Sequence, residues 1–337
     1  MRRAALLLLL LPLAGCDGIQ SMTGGDGAQG AEFNSLFTLF MVVTGVVYIL
    51  VIAFLIAALL RRGGKRTDVR DDPGEGHERG LTTALVVWTA FIALGLTVLT
   101  LASYFTDRSM AAAAVPANGE VLNIEITANQ WWWDIRYHSP THTETIRTAN
   151  ELHLPVGIPA HIQLRSTDVI HSFWVPNLAG KQDLIPGRLN DIDLLPRRTG
   201  LFRGQCAEFC GAQHAHMALD VTVESRDAFR AWWRQQAEPA KTPTTPLAMA
   251  GYNYVMQREC SVCHNISGTG ATGQVAPDLT HVASRKSLAA GTLPMGRGQL
   301  YAWIADPQGV KPGNNMPYIG LEPQELHAVV AYLETLK

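Results

Sequence analysis

One short stretch of the sequence concentrates side chains that bind soft metal ions. It contains Cys206, Cys210, His214 and Met217, which together supply two thiols, an imidazole and a thioether. These ligand types suit copper rather than magnesium or calcium. A mononuclear blue copper site needs one cysteine, whereas two cysteines on one loop can each bridge a pair of copper ions. Such a pair changes its bond lengths little when one electron enters or leaves, so the stretch predicts an electron-transfer site. A further histidine is needed, and His171 is the best candidate because it follows an alternating, strand-like run.

A second stretch, Cys260-Ser-Val-Cys263-His264, has the C-x-x-C-H pattern of covalent c-type haem attachment. The thiols add to the haem vinyl groups and the histidine ligates the iron. A zinc site would need more Cys or His ligands nearby, and none follows. We expect Met316 to be the second axial ligand, because its Asn-Asn-Met-Pro loop is rich in turn residues, with Met295 as the competitor. A Met/His pair raises the iron potential, which suits an electron carrier.

The fifth cysteine, Cys16, ends an apparent export signal over residues 1–16. Arg2 and Arg3 precede an apolar run, and Leu13-Ala-Gly-Cys16 resembles the lipobox of bacterial lipoproteins, in which the cysteine is lipidated. The alternative is an ordinary signal peptide with a cysteine there by chance. In an exported protein, paired cysteines would by default form disulfides. The metal-binding neighbours of the other four cysteines argue against that here.

Two long runs without a charged residue must anchor these sites. Residues 36–60 and 81–105 are each long enough to cross a bilayer as a helix. The loop at 61–80 opens with a cluster of Arg and Lys, whereas the segment at 17–35 has neither, so the loop is predicted to be cytoplasmic. The prediction is therefore a two-pass protein of the bacterial plasma membrane. Everything after about residue 106 lies on the periplasmic side.

The exported part divides into two domains of different composition. Short alternating runs over residues 106–236 predict an all-β domain, followed by a helix capped by Ser225. Residues 237–246 hold three prolines and predict a semi-stiff spacer rather than a packed segment. Residues 247–337 predict an all-α cytochrome domain, in which the haem supplies much of the core.

Together these motifs resemble a known family, subunit II of haem–copper cytochrome c oxidases, in the caa3-type form fused to cytochrome c. The likeness spans nearly the whole chain. Besides the two membrane spans and the copper loop, the segments that carry it are Gln130–Trp133, Asp168–Trp174 and Lys181–Asn190. The resemblance implies a multi-domain membrane protein with a transmembrane hairpin, a cupredoxin-like Greek-key domain and an all-α cytochrome c domain.

The resemblance also implies a ligand set. The binuclear centre of this family, called CuA, would hold two copper ions on His171, Cys206, Cys210, His214, Met217 and the backbone carbonyl of Glu208. The Glu208 side chain would reach a magnesium or manganese ion at the interface with subunit I, and His216 would not be a ligand. Trp131 falls on the aromatic residue through which electrons enter. One departure is Leu85, which stands where many members place a glutamate that serves proton entry.

The implied function is that of an electron-transfer subunit. Electrons would pass from a donor, such as a cytochrome c or a quinol–cytochrome c reductase, to the haem c, to CuA, and then to haem a of subunit I. Oxygen reduction at haem a3–CuB and proton pumping would occur in subunit I, with subunit III also present. The alternative is the electron-accepting subunit of a CuA-containing nitric oxide reductase. A structural subunit of a quinol oxidase would lack the copper ligands. With a net charge of −2, nothing indicates nucleic-acid binding.

Overall fold

The computed structural model of the chain describes residues 18–61, 75–113, 119–138 and 145–337. Cys16, the rest of the predicted signal and most of the predicted cytoplasmic loop lie outside the described residues. Residues 32–112 form one compact unit, and the other described residues form a second.

The first unit consists of two long helices, α1 (Ala28–Arg61) and α2 (Glu75–Ala113). Both are long and apolar enough to cross a membrane, with a mean hydropathy of 2.9 and 2.3 in their apolar parts. Each helix extends beyond the predicted membrane span at both ends. An apolar run predicts only the part of a helix that lies in the hydrocarbon core of the bilayer, and the helix can continue beyond it. In the polar first turns of α2, for example, the Thr82 hydroxyl donates to the Glu78 carbonyl over 2.9 Å.

The second unit contains the predicted β-domain. Its ten strands, in chain order, are β1 (Leu122–Asn129), β2 (Trp132–His138), β3 (Thr145–Ala149), β4 (Glu151–Pro155), β5 (Ala160–Ser166), β6 (His171–Trp174), β7 (Lys181–Leu184), β8 (Asn190–Leu194), β9 (Gly200–Gln205) and β10 (Ala218–Glu224). One sheet has the order β3-β2-β1-β5-β8, a second has the order β4-β10-β9, and β6 pairs with β7. Strands β1 and β5 are parallel, as are β4 and β10, so neighbours in a sheet are not always neighbours in sequence. This topology confirms the cupredoxin-like prediction.

The core of the β-domain comes from alternating side chains. In β1, Leu122, Ile124 and Ile126 are buried, whereas Asn123 is exposed and Glu125 is partly exposed. Such alternation directs one face of a strand into the core. Trp133 and Phe173 fill the centre of this core with rings 6.2 Å apart in an edge-to-face arrangement. These side chains join the two sheets in one apolar core.

Two flanking segments close the β-domain. Helix α3 (Arg226–Ala237) begins as predicted at Ser225, whose hydroxyl accepts from the Ala228 amide. The segment before α1 also packs against the β-domain. The Asp26 and Gly27 amides both donate to the Asn177 carbonyl. The N-terminal segment is thus part of the folded domain.

The C-terminal domain is helical, as predicted. Its helices are α4 (Pro246–Gln257), the single turn α5 (Cys260–Cys263), α6 (Arg297–Ala305), α7 (Pro307–Val310) and α8 (Pro323–Leu333), with a short hairpin of β11 (Ser287–Leu288) and β12 (Leu293–Pro294). Helices α4 and α8 cross at Gly251, where an added Cβ would lie only 2.0 Å from the Ala328 carbonyl oxygen. This close crossing builds the small core of the domain.

The proline-rich segment departs from the prediction of an unpacked spacer. The Ala240 amide donates to the Ser267 carbonyl over 2.9 Å, and His281 Nε2 donates to the Glu238 carbonyl over 3.0 Å. Pro243 is buried. Proline restricts the backbone but does not prevent burial, and these contacts hold the segment against the C-terminal domain. The expectation of a free spacer was therefore wrong.

Candidate copper and haem sites

The predicted copper ligands converge at one end of the β-domain. Residues 206–217 connect β9 to β10, and His171 opens the neighbouring strand β6. Cys206 Sγ lies 3.7 Å from Cys210 Sγ and 3.9 Å from His171 Nδ1. Cys210 Sγ lies 3.6 Å from His214 Nδ1 and 3.9 Å from Met217 Sδ. The two cysteines are free thiols, and the five side chains surround one small space.

A backbone oxygen also reaches this space. The Glu208 carbonyl lies 3.2 Å from Cys206 Sγ, whereas its side chain is exposed. The structure thus brings together every predicted copper ligand. His216 is not part of the cluster, because its ring is exposed and its Nδ1 lies 2.8 Å from Gln213 Oε1.

The protonation of His171 fits a metal site. Its Nε2 lies 2.8 Å from an Asp168 carboxylate oxygen, which can only accept, so Nε2 carries the proton. Nδ1 then keeps its lone pair and faces the thiols. The other Asp168 oxygen accepts from the Gln130 amide over 2.6 Å, so one carboxylate orients both the histidine and the chain before Trp131.

The two thiols are electrostatically coupled. The hydrogen bond between Cys206 and Cys210 lowers the pKa of Cys206 to about 3, and His171 acts in the same direction. The same interaction raises the pKa of Cys210. Burial alone would lower the pKa of His171, but hydrogen bonding to Cys206 and to Asp168 raises it. A buried thiolate next to an imidazole is the donor set that a soft metal ion binds.

Trp131 lies against the copper loop. It is 8% exposed, and its indole Nε1 donates to the Cys210 carbonyl over 2.9 Å. The Gln130 side-chain amide donates to the same carbonyl over 2.7 Å. Gly211 must be glycine here, since its φ is +110° and an added Cβ would lie 3.1 Å from the Trp131 ring. The loop and the indole therefore pack as one unit.

The predicted haem ligands lie in the C-terminal domain. Cys260 and Cys263 lie on the single turn α5, and His264 follows it directly. His264 Nδ1 lies 2.6 Å from the Pro277 carbonyl oxygen, which only accepts, so Nε2 keeps a free lone pair. Burial lowers the pKa of His264 and keeps the imidazole neutral. A neutral imidazole whose other nitrogen is hydrogen-bonded is suited to bind iron, so these residues fit a covalent haem.

The two candidate axial methionines have different surroundings. The Met295 side chain packs against the core of the C-terminal domain, whereas that of Met316 is not part of this core. The loop that carries Met316 is held by Gln308, whose side-chain amide donates to the carbonyls of Asn314 and Met316. Met316 is therefore the methionine with a free thioether on an ordered loop, which favours it as the ligand.

Two residues that contact the candidate site were not identified from the sequence. Asp168 lies inside a recognised segment, and an acidic residue three positions before the candidate ligand His171 was the available signal. Lys311 carried no such signal. Its ammonium group contacts the backbone next to the copper loop from a distant part of the chain.

Family models match both the β-domain and the C-terminal domain. Residues 137–225 match the model described as cytochrome c oxidase subunit II, periplasmic domain. Residues 248–337 match the cytochrome c model. The matches fall on the β-domain and on the C-terminal helical domain described above.

Individual relatives extend over the whole chain. Cytochrome c oxidase subunit 2 of Alkalihalophilus pseudofirmus is 32% identical and aligns with 98% of this chain and 96% of its own length. The Bacillus subtilis protein of the same name is 28% identical, over 99% of this chain and 98% of its own. Among solved structures, the periplasmic domain of cytochrome oxidase subunit II from Bradyrhizobium japonicum is 32% identical. It covers 34% of this chain and 92% of its own, with a TM-score of 0.32.

Proposed function

This chain belongs to the cytochrome c oxidase subunit II family, in the caa3-type form with a fused cytochrome c domain, and we propose that its two exported domains form a one-electron relay. As a subunit II it is part of a haem–copper oxidase complex with a subunit I, and it is anchored in a membrane. The proposal adds a direction. Electrons enter at the C-terminal domain, leave through the copper loop to haem a, and support reduction of oxygen to water with proton pumping in subunit I.

A continuous line of contacts between the two candidate sites carries this proposal. Gly313 lies on the loop that carries Met316, and an added Cβ at Gly313 would lie 3.6 Å from Cη2 of Trp131. The other edge of the indole donates to the carbonyl of Cys210. One aromatic side chain thus connects the loop of the proposed haem ligand with a proposed copper ligand.

The residues that would hold the cofactors follow from the geometry. A haem would be held by Cys260, Cys263, His264 and Met316. Two copper ions would be held by His171, Cys206, Cys210, His214, Met217 and the carbonyl of Glu208. When bound, both groups exchange single electrons. The chain itself supplies soft ligands at both sites and the buried indole of Trp131 between them.

The exit side of the relay has an exposed apolar residue. Phe209 is 75% exposed, and its ring lies 5.7 Å from that of His214. An exposed aromatic residue next to a metal ligand is suited to protein contact. We assign this face to subunit I, with the exposed Glu208 side chain placed to reach a magnesium or manganese ion there. Subunit III and an upstream cytochrome c or quinol–cytochrome c reductase complete the proposed assembly, in a bacterial plasma membrane with both exported domains on the periplasmic side.

The test is a measurement of electron transfer in the purified oxidase. Flash photoreduction of the haem c, followed by the absorbance of the copper centre, gives the rate between the two sites. Trp131→Phe removes the hydrogen bond to Cys210 and part of the aromatic contact, so we expect this rate to fall several-fold. Trp132→Phe is the matched control, since Trp132 is the adjacent residue and makes neither contact.

Spectroscopy separates a loss of transfer from a loss of the site. The copper EPR spectrum, whose hyperfine pattern reports delocalisation over two nuclei, should be the same in both variants. An unchanged rate in Trp131→Phe would contradict the proposed path. Turnover of the purified complex on oxygen and on nitric oxide tests the reaction itself, and the proposal requires oxygen to be the substrate.

A further inference from the structure

Lys311 is a buried cation between the two exported domains. It is 2% exposed, and its Nζ donates to three carbonyl oxygens, each 2.8 Å away. Two of these belong to Trp131 and His216 of the β-domain, and the third belongs to Ala289 of the C-terminal domain. All three protons of the ammonium group are therefore used. Among the described residues, no carboxylate forms an ion pair with it.

The position of this contact links it to the relay. Trp131 packs on the copper loop through its side chain, while its carbonyl accepts from Lys311. His216 immediately precedes the proposed ligand Met217. The lysine thus binds the backbone of Trp131 and the backbone of His216 within the copper loop, and it forms no hydrogen bond to a proposed ligand.

The turn that supplies the third carbonyl is strained. Ala289 and Ala290 have φ values of 52° and 59°, a left-handed conformation that alanine rarely adopts. The Ala290 carbonyl accepts from the Ala218 amide of the β-domain over 3.0 Å. Strained residues persist where the surrounding structure holds them, and this turn is held by contacts to the other domain.

Further contacts cover the rest of the interface. The Gln213 side-chain amide donates to the Pro312 carbonyl over 2.8 Å. At a separate point, the Arg147 guanidinium donates to Gln274 Oε1 over 2.7 Å and to the Gln274 carbonyl over 3.0 Å. The chain from Lys311 to Asn315 consequently covers Trp131, which accounts for the low exposure of that indole.

We propose that Lys311 is the positioning residue that locks the C-terminal domain over Trp131 and thereby closes the copper domain to external electron donors. The docked state rests on the contacts above, and its role in electron transfer rests on the proposed function. A cation buried without a carboxylate is costly. Its three carbonyl partners offset that cost only while the domains are together, so the lysine stabilises one arrangement.

The first measurement needs no variant. An amine-reactive reagent applied to the intact oxidase, followed by mass spectrometry, compares the labelling of Lys311 with that of Lys286, an exposed lysine of the same domain. We expect Lys286 to be labelled and Lys311 to be protected. Equal labelling of the two lysines would overturn the proposal.

Hydrogen exchange then tests the lock directly. The Ala218 amide reports on docking because its acceptor is in the other domain, whereas the Val156 amide, bonded to the Glu224 carbonyl, reports on the β-domain. Lys311→Met keeps the length of the side chain but removes its donors. We expect exchange of the Ala218 amide to become about 10- to 100-fold faster, the scale of losing a charge-assisted hydrogen bond. Exchange of the Val156 amide should stay unchanged, and Lys286→Met is the matched control.

External reductants separate this inference from the relay itself. In Lys311→Met, direct reduction of copper by a small soluble complex such as hexaammineruthenium should become faster, because Trp131 is uncovered. Wild-type exchange of the Ala218 amide in Lys311→Met would overturn the lock. Faster exchange combined with an unchanged rate between haem and copper would support the lock and contradict the proposed path through Trp131.

Discussion

The proposed copper ligands converge at the end of the β-core, whereas the proposed haem ligands lie on a one-turn helix and a distant loop. Cys206, Cys210 and His171 are buried, and their ligand atoms all lie within 4.8 Å of one another. Cys260 and Cys263 are half-buried on α5, and Val262 between them is exposed. The proposed copper site is formed by a strand and a loop of the folded β-domain, so the polypeptide itself brings its residues together. The small helical domain depends on its bound haem for part of its core. The two regions should therefore respond differently to loss of their cofactors.

Removal of the haem attachment should produce the largest effect. In the double variant Cys260→Ser with Cys263→Ser, the C-terminal domain loses the covalent haem that completes its core. We expect its unfolding free energy to fall by several kcal/mol. Limited proteolysis should cleave within residues 247–337 and leave the β-domain intact. Extraction of copper by a chelator should leave both domains resistant to the protease. Equal protease sensitivity after loss of the haem and after extraction of copper would contradict the expected difference between the two domains.

The crossing of α4 and α8 gives the next effect. Gly251→Ala places a Cβ 2.0 Å from the Ala328 carbonyl, so the helices must separate. We expect a loss of about 3 kcal/mol or more, measured as the thermal unfolding of the C-terminal domain. Gly298→Ala is the matched control, because nothing lies within 4 Å of its added Cβ. That helical position should gain about 0.5–1 kcal/mol. Equal changes in thermal unfolding for the two variants would show that the close approach of α4 and α8 does not determine the stability of the domain.

In the β-domain, a comparable test concerns the orientation of a ligand. Asp168→Asn weakens the hydrogen bond that holds His171 Nε2, so copper affinity should fall about 10- to 100-fold. Competition with a copper chelator measures this change. Asp193→Asn is the control, because Asp193 makes a similar 2.8 Å contact to His161 away from the copper loop. Equal copper retention in both variants would show that Asp168 has no role at the site.

The smallest effect concerns pH. His153 Nδ1 lies 2.9 Å from Glu224 Oε1, and Nε2 lies 3.7 Å from Glu151 Oε2. Burial alone would lower the pKa of His153, but these two carboxylates raise it. The protonated histidine therefore stabilises the fold fully below its unfolded pKa of about 6.5, and this contribution is lost as the pH rises through the raised folded pKa.

His153→Gln should remove this pH dependence. The expected difference in unfolding free energy between about pH 6 and pH 9 is no more than about 1 kcal/mol. Urea unfolding of wild type and variant at several pH values measures it. If the unfolding free energy changed with pH to the same extent in wild type and variant, His153 would be excluded as the source of the pH dependence.

Most of the proposed ligands could be predicted from the sequence because they lie close together in the chain. Cys206 to Met217 lie on one loop, and Cys260 to His264 on one turn, so type and spacing suffice. The alternation in β1 and the cap at Ser225 are local in the same sense, and the structure contains both. His171 is distant in sequence from the copper loop, and only the strand-like run before it indicated this histidine, since its strand approaches the copper loop only in the folded domain.

Contacts between the domains could not be predicted in this way. Lys311 donates to Trp131 across 180 residues of sequence. Nothing near Lys311 distinguishes it from a surface lysine, since its role depends on three carbonyls that only folding brings together. The packed proline segment was missed for the same reason, because its composition describes stiffness but not what it contacts. The C-terminal domain, which the sequence places after a spacer, contacts the β-domain through residues such as Lys311.

The effect of viscosity on electron transfer between the haem domain and the copper domain tests the docked relay most directly. Flash photoreduction of the haem c in the intact oxidase, repeated at increasing glycerol concentration, gives the rate of copper reduction. A domain locked over Trp131 has no motion to complete before transfer, so the rate should not change with viscosity. A tethered domain that must swing into place would give a rate that falls as the viscosity rises, and that result would contradict the docked relay.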